Sequence, residues 1–98
     1  MFLPTLTKGV EMVVQFQKRV STYTIHTTVS FPAQINDLEA SCEISGEALC
    51  DHFGARSMRG TDLVAAFEAN RKAIESVASK WLPVRFPAGR CLLVTADF

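Results

Sequence analysis

The chain carries no surplus of charge. Ten Lys and Arg balance ten Asp and Glu, so the formal net charge is zero, and the strong basic footprint of a dedicated nucleic-acid binder is absent. The drift along the chain is mild: residues 1–50 hold three basic and five acidic side chains, residues 51–98 seven and five. Cysteine is scarce, with Cys42, Cys50 and Cys91 only. An odd count without a close pairing motif reads as free thiols in a reducing compartment. Long apolar runs are missing too. Cys91 to Val94 is too short to span a bilayer, and Val13-Val14, with Lys8 the only positive residue before it, is too short for a signal-peptide core. The protein is therefore expected to be soluble and cytoplasmic, without a membrane partner. No phosphate-binding loop, Gly-rich dinucleotide turn, His-Glu-x-x-His or Gly-x-Ser-x-Gly pattern occurs, so no cofactor and no catalytic set is expected.

What is present suits one small domain. The 98 residues are 48% hydrophobic and 20% charged, ordinary for a globular chain and unlike a disordered one. A domain of this size buries roughly 60–65% of the surface its unfolded chain exposes. That supports one modest core and leaves little for a deep internal active site. Met1 to Glu11 shows no clear period. It reads as an extension, disordered or preceding a natural start at Met12, with the domain covering residues 12–98.

The clearest pattern is a period of two. Tyr23, Ile25, Thr27, Val29, Phe31, Ala33 and Ile35 alternate with polar residues, and the alternation resumes at Leu38, Ala40, Cys42 and Ile44. This predicts strands with one face on a core. A two-residue turn at Asn36-Asp37 sets Ala33 opposite Ala40, Phe31 opposite Cys42 and Val29 opposite Ile44. A slip of one residue would put apolar against polar throughout, so the pattern selects its register. Pro32 lacks an N–H and suggests an edge strand or a bulge. Ser45 is placed to cap a helix that runs to about Phe53, with Gly54 as its left-handed stop. Thr61 reads as the cap of a long helix whose stripe holds Leu63, Phe67, Ile74, Val77, Ala78 and Trp81, with Pro83 marking its end. Val14 and Phe16 suggest an additional strand, and Val84 to Phe86 another. The expected fold is α+β: an antiparallel sheet built on a hairpin (about 23–35 and 38–44), two helices (about 45–53 and 61–81) on one face, and a C-terminal strand (about 90–96).

Five residues are candidates for ligand contact. Asn70 falls inside the apolar helical stripe, where an amide must find partners. It either bonds backbone of the sheet or of the loop Ala55–Gly60, or lines a pocket. His52 sits near a helix C-terminus, favourable there when charged, with a role as a base the sharper alternative. Arg56, Arg59 and Arg71, with Lys72 and Arg90, would form a basic patch if the loop folds over the long helix; no stacking aromatic set accompanies them. Cys42, Cys50, His52 and Cys91 fit no zinc-ligand spacing, so no metal is expected. Cys42 and Cys91 read as small core hydrophobes.

The blocks Val29-Ser-Phe-Pro-Ala-Gln-Ile35, Cys42-Glu-Ile-Ser-Gly-Glu-Ala-Leu-Cys-Asp-His-Phe-Gly54, Ala66-Phe-Glu-Ala-Asn-Arg-Lys-Ala-Ile-Glu75 and Leu92-Leu-Val-Thr-Ala-Asp-Phe98 resemble, in this order, a small bacterial family catalogued as domain of unknown function 1488. The resemblance implies a compact α+β domain and transfers no activity and no catalytic residue. The functional expectation is a non-enzymatic binding or protein-interaction module, able to pair with a second copy of itself. The alternative is a nucleic-acid-associated regulator using the basic loop and helix.

Overall fold

The fold is described from a computed structural model over residues 13–17, 20–87 and 89–98. The expected N-terminal extension, the start at Met12 and Ala88 of the turn before the last strand lie outside these residues. The elements are β1 (Val14–Phe16), β2 (Thr22–Tyr23), β3 (Thr28–Ile35), β4 (Leu38–Ser45), α1 (Gly46–Phe53), α2 (Gly60–Ala69), α3 (Arg71–Arg85), β5 (Cys91–Leu93) and a 3₁₀ turn (Thr95–Asp97).

The hairpin forms in the expected register. Val29 faces Ile44, Phe31 faces Cys42, and Ala33 faces Ala40. Asn36 and Asp37 have φ of 51° and 70°, the left-handed pair that a two-residue hairpin turn requires. The Asn36 side-chain Oδ1 also accepts from the Val13 N–H at 2.9 Å. In a ladder closed by this turn, Ile35–Leu38 is the doubly bonded pair, and alternation leaves the Pro32 nitrogen pointing away from β4. On that side β3 changes partner, from β2 at Val29–Ser30 to β1 at Ala33–Ile35. Pro32 thus falls where no outer strand needs its missing N–H. It lies neither in an edge strand nor in a bulge.

The strand before the hairpin is shorter than its alternation. Tyr23 belongs to the separate β2, and Thr24–Thr27 form a tight turn closed by Thr24 N–H to Thr28 C=O at 2.9 Å. Ile25 at its tip is 93% exposed. Alternation reports where side chains would point in a strand; it does not register a turn that happens to hold an apolar residue.

Three helices cover one face of the sheet. Ala48 and Leu49 from α1, Leu63 and Phe67 from α2, and Ile74, Ala78 and Leu82 from α3 are fully buried with Val29, Phe31, Cys42, Ile44 and Leu93. The rings of Phe31 and Phe67 stack at 4.7 Å between centroids. Each such large side chain contributes about 1.5–3 kcal/mol by leaving water. The α1 boundaries are those read from the caps: Ser45 Oγ accepts from Ala48 N–H, and Gly54 closes the helix at φ 73°, a conformation only glycine adopts without cost.

The long helix expected over 61–81 is two helices broken at Asn70. In a continuous helix the Asn70 N–H would donate to Ala66 C=O. Here the side-chain Nδ2 takes that acceptor at 2.9 Å, and the backbone N–H turns to Phe67 C=O at 3.0 Å. This is the competition that makes asparagine a poor helix-interior residue. The first of the two helices starts at Gly60, so Thr61 lies inside its first turn, not at its cap. The second continues through Pro83 to Arg85, so Val84–Phe86 is not a strand. Buried Leu82 and the Arg85–Asp97 ion pair (2.7 Å) hold the turn past the proline.

The sheet is mixed. β5 pairs parallel with β4, Cys91 beside Cys42 and Leu93 beside Ile44, because the chain returns from α3 to run alongside β4. The strand ends at Leu93, earlier than its apolar run. Asp97 Oδ2 accepts from Val94 N–H at 2.8 Å and turns the chain into the 3₁₀ segment.

Candidate functional site

The structure distributes the five candidate residues over different surfaces. Asn70 and Arg71 line one hollow of about 570 Å³ with Phe16 and Gln17. Arg56 lines another, of about 430 Å³, with Phe53, Asp62 and Ala65. Arg59 is exposed immediately before α2. His52 is exposed and lies on the far end of α1, its Nε2 3.2 Å from Thr95 O and its ring 5.9 Å from that of Phe98. Only Asn70 and Arg71 come together, as chain neighbours.

Their polar groups are already engaged. Asn70 Nδ2 donates to Phe53 C=O at 3.3 Å as well as to Ala66 C=O, so one amide ties the end of α1 to the break between α2 and α3. Arg71 Nε donates to Glu75, Nη1 to Glu68, and Nη2 to the Gln17 carbonyl. Partial burial works against the Arg71 charge, but the bonds to Glu75 and Glu68 outweigh it and raise its pKa above the ordinary guanidinium value. Ser21 Oγ donates to the same Glu68 at 2.8 Å. Arg90 is paired with Glu43 at 2.6 Å; the Arg90 bonds are the main reason that the Glu43 carboxyl titrates below its usual range. Among the described residues, Arg56, Arg59 and Lys72 make no ion pair, and no group of three or more His, Cys, Asp or Glu is placed to hold a metal. No described helix is long and apolar enough to cross a membrane.

The surface that composition did not single out lies between β2 and α2. A concavity of about 510 Å³ is lined by Tyr23, Gly60, Thr61, Val64 and Ala65. Its geometry depends on Gly60. A Cβ on that residue would sit 2.8 Å from Cγ of the Tyr23 ring, closer than real side chains approach, so only glycine lets the ring lie against the helix start. Tyr23 in the hollow is 41% exposed, and on either side of it in the chain Val20 is 85% and Ile25 93% exposed. None of the lining residues is charged. The signal for it in the sequence was the same alternation that placed Tyr23 and Ile25 on a core face; their exposure needs the turn at Thr24–Thr27 to be known.

The opposite edge of the sheet is closed by side chains. Arg85 Nη1 donates to the Leu92 carbonyl of β5 at 3.0 Å, and the same guanidinium bonds both Asp97 oxygens at 2.7 and 2.8 Å. It lies over the Trp81 ring at 4.2 Å. A charged group on an edge carbonyl blocks strand addition there.

A family model described as "Protein of unknown function (DUF1488)" matches residues 14–88, three quarters of the chain. No curated protein and no solved structure matches.

Proposed function

The chain belongs to the DUF1488 family of proteins of unknown function, and from that premise we propose that it is a non-enzymatic interaction module that pairs with a second copy of itself through the β2–α2 surface. The observation that carries the reading is an uncharged concavity at Tyr23, Gly60 and Val64 together with Ile25, two residues along the chain from Tyr23 and nearly fully exposed. A two-fold interface needs a self-complementary patch, and a surface that holds both a knob and a socket can supply one. The Arg85 contact on β5 disfavours pairing at the other edge, which leaves this face as the place for it. A reducing, cytoplasmic setting belongs to the same reading and is supported by the few, unpaired cysteines. A nucleic-acid role draws less support, because Arg71 is committed to Glu68 and Glu75.

Sedimentation velocity from low to high micromolar concentration tests the proposal. The wild type is expected to dimerise, and Ile25→Asp to weaken association by about 10- to 100-fold or more, the worth of one buried aliphatic side chain, with an unchanged far-UV circular dichroism spectrum. A wild type that stays monomeric at high micromolar concentration overturns it, as does a dimer indifferent to Ile25→Asp.

A further inference from the structure

Two of the three thiols are brought together by the parallel ladder. Cys42 and Cys91 are register partners on β4 and β5, their sulfurs 2.8 Å apart, and they are 0% and 2% exposed. Neighbouring strands lie roughly 4.8 Å apart, inside the Cα separation that a disulfide accepts. No rearrangement of the sheet is needed to join them. The third thiol, Cys50, is half-buried and contacts Met58 Sδ at 3.6 Å. We propose that Cys42 and Cys91 are a dithiol that closes to an intramolecular disulfide on exposure to a hydroperoxide and fastens β5, with the segment that follows it, to the sheet.

The two sulfurs are not equivalent. The hydrogen bond from Cys42, aided by the nearby Arg85 guanidinium, lowers the Cys91 pKa, whereas the same bond and burial raise that of Cys42. Cys91 also lies on the edge strand β5, next to the Leu92 carbonyl that holds the Arg85 guanidinium, and this placement makes it the nucleophile. Its thiolate attacks the terminal peroxide oxygen, the O–O bond breaks, and hydroxide (from hydrogen peroxide) or an alkoxide (from an organic hydroperoxide) leaves, giving a sulfenic acid on Cys91. The Cys42 sulfur then attacks the Cys91 sulfur. The S–S bond forms, the S–O bond breaks, and the departing hydroxide takes the Cys42 proton as water. The dithiol supplies the two electrons that reduce the peroxide. Access comes through β5, a three-residue strand at the sheet edge of the kind that opens locally without global unfolding. The consequence reaches past the strand: Thr95–Asp97 contacts α1, and Phe98 packs edge-on against Phe53 at 5.1 Å.

The full chain is treated with hydrogen peroxide, residual thiols are alkylated in denaturant, and the disulfide peptides are mapped by mass spectrometry. A Cys42–Cys91 link, intramolecular and reversed by dithiothreitol, is expected. It should raise the folded-to-unfolded ratio by roughly 30- to 1,000-fold, as a cross-link spanning so long a loop does. Cys50→Ser should leave both results unchanged, and Cys91→Ser should abolish the link. The proposal is overturned if Cys42 and Cys91 are both recovered alkylated under conditions that oxidise Cys50, which is the outcome for two inert core thiols. It is equally overturned if the link joins Cys50 or two chains. Mapping of the wild type decides alone if Cys91→Ser does not fold.

Discussion

Replacing Asn70 tests whether one side-chain amide holds three helices in place. The residue breaks a continuous apolar stripe, and its Nδ2 gives hydrogen bonds of 2.9 and 3.3 Å to Ala66 and Phe53 carbonyls. Asn70→Ala removes both donors. A net hydrogen bond is worth roughly 0.5–1.5 kcal/mol, the longer one at the low end, and alanine recovers about 0.5 kcal/mol through its helix propensity. The expected loss is about 1–2 kcal/mol. Asn70→Asp is more diagnostic because it keeps the shape. At neutral pH it turns a donor into a charged acceptor facing two carbonyl oxygens, and a loss of about 2–4 kcal/mol is expected. The introduced carboxyl is better accommodated when protonated, so its pKa in the folded state must lie above the unfolded value. Stability linked to such a group is present below the unfolded pKa and lost as pH rises through the folded one. The difference between Asn70→Asp and Asn70→Ala should therefore shrink toward pH 3–4, near the ordinary carboxyl pKa of about 3.9. Urea unfolding followed by the fluorescence of Trp81, the single tryptophan, reads the effect. With a slope of about 1–3 kcal/mol/M, the midpoint of Asn70→Ala should fall by around 1 M, and that of Asn70→Asp by about twice as much. Equal stability of the two variants across pH would refute the hydrogen-bond account of the helix break.

The Arg85–Asp97 pair should make the C-terminal segment sensitive to acid. The bidentate Arg85 bond holds the Asp97 carboxyl below its ordinary pKa, so its contribution is complete at neutral pH and fades as pH falls through the depressed value. Asp97→Asn should cost about 1.5–3 kcal/mol at pH 7, and the gap to wild type in urea midpoints should narrow below about pH 4; a gap constant down to pH 2 would contradict this. Thr27 is β-branched yet has φ 58°, a region costly to such residues. Thr27→Gly should therefore raise the thermal midpoint, by about 1 kcal/mol in stability terms, and a lower midpoint would show that the Thr27 side chain does more than occupy the turn.

How much could be read in advance depended on the range of the signal. The Val29–Ile44 register was legible because the period of two and the two-residue turn each constrain it, and both are local. The α1 boundaries were legible because Ser45 and Gly54 satisfy helix-end groups with their own atoms or backbone freedom. The break at Asn70 was half-visible: a polar residue in an apolar stripe was apparent, but whether its amide would turn to its own helix was not. The parallel placement of β5 and the exposure of Ile25 were not legible. The first depends on where the chain returns after three helices, and the second on a turn hidden inside an alternating run.

The linear order of residues thus determined the hairpin, its inward face, the capped first helix and the α+β class, since each follows from contacts a few residues apart or from strict alternation. Only the tertiary structure decided which thiols became neighbours, which arginines lost their freedom to carboxylates, and which apolar side chains stayed in water. The meeting of Cys42 with Cys91 and of Arg90 with Glu43 spans tens of residues, where loop closure and packing, not local pattern, select the partner.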